Sequence, residues 1–226
     1  MLEQNLKQIF ANISNGNNLG EPITLVGATK MVDADTINKA ISLGLKVVAE
    51  NKVQEFNQKH ELIVGAEQHF IGHLQTNKVK YLVGNVSLIQ SVDSDKLALE
   101  IDKIAKKKNV KQNVLIEINI GGELSKSGFS LEQAFEQTIE ISKKYSNICV
   151  KGLMGMLPHT DNQNLLESLC QKMRELYDKL KSYGLGLEYL SMGMSNDYML
   201  AIQNGSNMIR LGSSIFGKRI YLDKKE

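Results

Sequence analysis

The chain has 226 residues, 42% of them hydrophobic and 23% charged, and a formal net charge of +2. That length can bury the core of one large α/β domain, and the composition suggests neither a disordered chain nor a membrane protein. So small a net charge gives no argument for a nucleic-acid partner.

Two cysteines, Cys149 and Cys170, make neither a spaced metal pattern nor a disulfide framework, which agrees with a reducing cytoplasm. Cys149 is expected in the core. His60, His69 and His159 have no partner pattern, so no metal site is expected.

The first segment, MLEQNLKQIFANI, places Leu2, Leu6, Ile9, Phe10 and Ile13 at helical spacing, an amphipathic helix rather than a secretion signal. No window reaches the roughly 18 uncharged apolar residues of a membrane span. NGNNLG, Asn15 to Gly20, is a turn. Eight short β-branched runs follow: ITLVGAT from Ile23, LKVVAE from Leu45, QHFIGH from Gln68, VSLIQSV from Val86, VLIEINI from Val114, CVKGLMGM from Cys149, EYLSMGM from Glu188 and MIRLGSSIF from Met208. Between them lie amphipathic helices, such as DADTINKAISLG from Asp33, LEQAFEQTIEISKKY from Leu131 and LLESLCQKMRELYDKLKSYG from Leu165. KIAKKKNVK, Lys103 to Lys111, is a solvated helix end, because lysines there complement the helix dipole. Eight such alternations predict an α/β fold, a (β/α)8 TIM barrel with an extra N-terminal helix, as a single domain over residues 1–226; the competing fold is an open doubly wound sheet.

In a barrel the chemistry gathers at the C-terminal ends of the strands. There stand Lys30, Asn51, His73, Asn119 with the loop GGELSKSG, and the run GLMGM. SMGMS (Ser191 to Ser195) and RLGSSIFG (Arg210 to Gly217) put glycine and hydroxyl residues where barrel enzymes seat a phosphate. Barrel closure pairs the last strand with the first and makes Lys30 and Arg210 neighbours. A lysine, a second cation and an anion seat suggest a Schiff base with a phosphorylated aldehyde, and pyridoxal 5'-phosphate (PLP) is the candidate. Arg210 facing the pyridine nitrogen would oppose its protonation and make a poor electron sink. His73 is expected to be structural, Met154, Met156, Met192 and Met194 to be core filler or a soft cofactor wall, and Lys126 to contact solvent or a secondary anion.

Nearly the whole chain carries matching motifs: TK at Thr29 and Lys30, AENKVQE from Ala49, HFIGHLQTNK from His69, SVDS from Ser91, NIGGELSKSGF from Asn119, GLM from Gly152, SMGMSND from Ser191 and RLGSSIFG from Arg210. On these the sequence resembles the pyridoxal-phosphate homeostasis proteins, single-barrel relatives of the N-terminal domain of bacterial alanine racemase. Thr29 stands where the family usually has serine, and Ala49 where it has glycine. The resemblance implies that Lys30 forms an internal aldimine, that Ser195, Gly212 and Ser213 hold the phosphate, and that Arg210 lies near the pyridine nitrogen. Asn51 and Met154 would line the cofactor, and Ser191 joins the cofactor-binding set. The function implied is vitamin B6 (PLP) homeostasis without turnover, in a cytoplasmic monomer, with apo forms of PLP-dependent enzymes as recipients and no catalytic residue. The alternative is an amino-acid racemase. That would need an acid/base group opposite Lys30, and the late tyrosines Tyr198 and Tyr221 fit no such pattern. A sugar-phosphate aldolase ranks last, since its lysine usually comes late in the barrel.

Overall fold

Strands too short to stand alone and helices with one apolar stripe each bury their faces only against one another, and here they do so in a closed ring. The computed structural model describes residues 1–123 and 126–217. In chain order the elements are α1 (Leu2–Ile13), β1 (Thr24–Ala28), α2 (Ala34–Ser42), β2 (Val47–Glu50), α3 (Val53–Lys59), β3 (Glu67–Phe70), α4 (Val79–Leu82), β4 (Leu88–Val92) and α5 (Asp95–Lys108). They continue with β5 (Gln112–Asn119), β6 (Phe129–Ser130), α6 (Leu131–Lys144), β7 (Ile148–Gly155), α7 (Gln163–Ser182), β8 (Tyr189–Ser191), α8 (Tyr198–Gln203), β9 (Met208–Leu211) and α9 (Ser213–Phe216).

The strands pair in the order β4-β3-β2-β1-β9-β8-β7-β5, and β4 also pairs with β5. Every pairing is parallel. This closes an eight-stranded barrel, as the (β/α)8 reading expects, and eliminates the open sheet. A ninth strand, β6, is a two-residue addition beside the end of β5 that no apolar run announced.

Helix signals work locally as expected. The Asp33 carboxylate accepts from the Thr36 N–H at 2.8 Å to cap α2, whose Ile37 and Ala40 are buried, and Gly44 turns the chain at φ +108°. The lysine run does end a helix: Lys106, Lys107 and Lys108 fill the last turn of α5, and Asn109 caps it at φ +54°. α1 lies over the β1 and β9 side with Leu6 and Ile9 buried, and Asn5 Nδ2 donates to the Ile215 carbonyl at 3.0 Å.

One apolar cluster has its fully buried members on strands alone: Val26, Val47, Ala49, Leu88, Leu115, Met154 and Met208. Alternate strand residues thus fill the barrel interior, while their neighbours face the helices. Cys149 corrects the core expectation, being half-buried, whereas Cys170 on α7 is fully buried and its thiol is pushed up to about 12 by burial and by the charges of Asp197 and Glu167. Among the described residues no helix is long and apolar enough to cross a membrane, and no cluster of His, Cys, Asp and Glu could hold a metal.

Candidate functional site

At the C-terminal mouth of the barrel, Lys30, Asn51, Ser195, Arg210, Gly212 and Ser213 line one cavity of about 920 Å3. Alternation explains which side chains enter it: Val26 points inward, and so does Lys30, four residues on and just past the end of β1. In the pairing of β1 with β9, Arg210 stands opposite Val26. The two cations therefore share one wall, as closure required, with Arg210 at the floor and Lys30 at the rim.

Arg210 is only 5% exposed and, among the described residues, meets no carboxylate in an ion pair. Its Nη1 donates to the Ser191 carbonyl at 2.9 Å and to Ser191 Oγ at 2.7 Å, and Nη2 to the Gly155 carbonyl at 2.9 Å. Burial pushes the guanidinium down to about 10, against the opposing charges of Glu117 and Asp197, so it remains a cation at neutral pH. Behind it, Ser191 Oγ donates to Gln90 Oε1 at 2.7 Å, and Gln90 Nε2 lies 3.1 Å from His69 Nδ1. This chain of hydrogen bonds fixes the arginine from within the barrel.

Next to β7 in the ring, the β8–α8 loop and the start of α9 form an anion-friendly corner. Ser195 Oγ accepts from the Ser214 N–H at 3.3 Å, beside Gly212 and Ser213. Gly193, at φ +97°, lets this loop turn inward; a Cβ there would lie 2.7 Å from that of Ala201. Asn51 is held from the other side by Gly72, where a Cβ would come within 1.9 Å of the Asn51 carbonyl oxygen.

Two expected residues do not reach the cavity. Met154 is 1% exposed in the barrel interior, and Ser191 is fully buried under Arg210. Met156, two residues past Met154 and beyond the end of β7, lines the cavity with Met194, while Met192 is core. His73 is a surface residue, 64% exposed, paired with Asp93 at 3.1 Å. Tyr198 faces away, its hydroxyl accepting from Asn12 Nδ2 at 2.8 Å, and Ser125 and Tyr221 lie outside the described residues.

Residues 4–219 match the family model described as the alanine racemase N-terminal domain. The pyridoxal phosphate homeostasis protein of Aquifex aeolicus is 46% identical over 203 residues, covering 87% of each chain. The chain belongs to this family. Its relative from Helicobacter pylori strain J99, of the same name, is 36% identical over 197 residues, covering 86% of this chain and 87% of its own. The structure of PipY of Synechococcus elongatus with PLP bound superposes with a TM-score of 0.84 at 27% identity, covering 96% of this chain and 100% of that one.

On this family barrel the cavity also recruits residues that sequence reasoning passed over. His159 and Asp197 line it, and Asp197 Oδ1 accepts from the Met194 N–H at 2.5 Å, holding the β8–α8 loop. An Asp just before a helix was the only signal for the second; a histidine in a loop gave none. A smaller cavity of about 260 Å3 adjoins, floored by Glu117 with Asn119 and Lys126 at its edge. Burial and the charge of Asp93 raise the Glu117 carboxyl above the usual range, although Ser127 Oγ donates to it at 3.2 Å.

Proposed function

We propose that this chain binds pyridoxal phosphate at the barrel mouth and serves its homeostasis, holding the cofactor covalently through Lys30 and releasing it without turnover. The observation that carries the reading is the gathering in one cavity of an amine, an anion corner and a cation that is ion-paired to no carboxylate among the described residues. The donor set fits the group. Lys30 supplies the amine for the aldehyde, Ser195, Gly212 and Ser213 take the phosphate, and Arg210 faces the ring nitrogen. Asn51 lines the ring, with Met154 and Ser191 supporting from below. When bound, the cofactor supplies an electrophilic aldehyde and, beside a permanent cation, a weakened electron sink. The names of the relatives and the PLP-bound PipY structure support this role.

The same reading takes residues 1–226 as one domain, working as a cytoplasmic monomer that passes the cofactor to apoenzymes. The test is an absorption titration with pyridoxal phosphate, followed by borohydride reduction and peptide mapping. A band that shifts on reduction, with the label on Lys30, is expected; Lys30→Ala should lose the band and keep the thermal midpoint. A label elsewhere would overturn the assignment. Exchange of an amino acid's α-hydrogen in deuterated water would establish the racemase alternative instead.

A further inference from the structure

Lys30 sits in a turn, Thr29 to Val32, whose backbone is not relaxed: Met31, the next residue, has φ +62°, in the left-handed region that favours glycine. Something must hold that conformation. The holding groups come from the outer face of the barrel, where alternation sends Thr29 and Glu50 while Lys30 goes inward.

Lys59, the last residue of α3, points its ammonium at this turn. Nζ donates to the Thr29 carbonyl at 3.1 Å and to the Val32 carbonyl at 3.0 Å, bracketing Lys30 and Met31. It is neutralised by Glu50 Oε1 at 2.5 Å and Glu55 Oε2 at 3.3 Å. Glu55 Oε2 also accepts the Met31 N–H at 2.7 Å, the amide of the strained residue itself. Thr29 Oγ1 lies 2.6 Å from Glu50 Oε1 and 3.0 Å from the Ala49 carbonyl, tying the turn to the end of β2. Glu50 is 3% exposed, and its Oε2 has no partner among the described residues. None of Thr29, Glu50, Glu55 or Lys59 lines the cavity.

A buried ion pair with an orphaned oxygen is a poor investment for stability alone. Its donors converge instead on the two carbonyls that flank the lysine. We propose that Lys59 is a positioning residue: with Glu50 and Glu55 it clamps the Thr29 to Val32 turn from behind and fixes the direction in which Lys30 enters the cavity. The clamp rests on the reading of Lys30 as the cofactor-binding amine, and adds the groups that aim it.

The test compares the full chain with the double variant Lys59→Met/Glu50→Gln, which removes both charges at nearly constant volume. Amide exchange without added cofactor should quicken at residues 29–32 and stay unchanged in the other strands, with the thermal midpoint kept. In a pyridoxal phosphate titration the affinity should fall by about tenfold or more, the usual order for a loosened reactive group. Unchanged exchange and affinity in the folded double variant would overturn the clamp. Should the double variant fail to fold, Glu55→Ala on the half-buried face of α3 decides: faster exchange at Met31 with weaker binding supports the clamp, and wild-type values for both overturn it. If the wild-type chain takes no cofactor on Lys30, the binding reading fails, and the cofactor-free exchange still judges the clamp by itself.

Discussion

Lys59 and Arg210 are both withdrawn from water, yet Lys59 is surrounded by the carboxylates of Glu50 and Glu55, while among the described residues Arg210 hydrogen-bonds neutral oxygens of Ser191 and Gly155. The first charge is spent within the protein, on the outer side of the barrel wall. The second is held in place but not neutralised, at the floor of a cavity, and its Nε–H makes no hydrogen bond among the described residues. A cation compensated at home shapes the backbone; an uncompensated one in a cavity is available to a ligand.

The contrast is broken most forcefully by Lys59→Met alone, which leaves the Glu50 carboxylate buried without its cation. Urea denaturation should show a loss of about 3–5 kcal/mol, the cost of half a buried pair. Adding Glu50→Gln should restore most of that loss, because the isolated charge goes with it. A double variant no more stable than the single one would mean that Glu50 owes little to Lys59.

Arg210→Met should cost less stability, about 1–3 kcal/mol, because what remains is unsatisfied carbonyls at Gly155 and Ser191 rather than a stranded charge. Its larger consequence should be weaker binding of pyridoxal phosphate in the same titration. A stability loss equal to that of Lys59→Met would show that the arginine is paired after all.

Much of this arrangement is legible in the sequence. The eight β-branched runs give the strands and favour a barrel, in which Lys30 and Arg210 share a wall, although only the β4–β5 pairing decides closure against an open sheet. The glycine and serine content of SMGMS and RLGSS marks the anion corner. What was not legible depends on distance along the chain or on where a strand stops. Gln90 meets Ser191 across 101 positions, and Lys59 meets Thr29 across 30, and neither pair leaves a local pattern. The choice between Met154 and Met156 turns on β7 ending at Gly155, which sends the first methionine into the interior layer and the second over the rim. Element boundaries are where periodicity is weakest.

The smallest effect concerns the acidic end of the clamp and sharpens the contrast through pH. Burial works to raise the Glu55 carboxyl, but the Met31 N–H and the charge of Lys59 outweigh it and hold the group below its ordinary value of 4.5. A depressed carboxyl contributes stability that is present above its unfolded value and lost as the pH falls through its folded value. The stability difference between the wild-type chain and Glu55→Gln should therefore be constant from neutral pH down to about pH 5, then shrink as the solution is acidified further. With the Glu55 side chain 21% exposed, the contribution should stay under about 1 kcal/mol. Because the Met31 amide reports on the same bond, its exchange should lose protection over that acidic window and not above it. Arg210 makes no hydrogen bond to a carboxylate among the described residues, so Arg210→Met should leave the pH profile of Met31 exchange as it is in the wild-type chain.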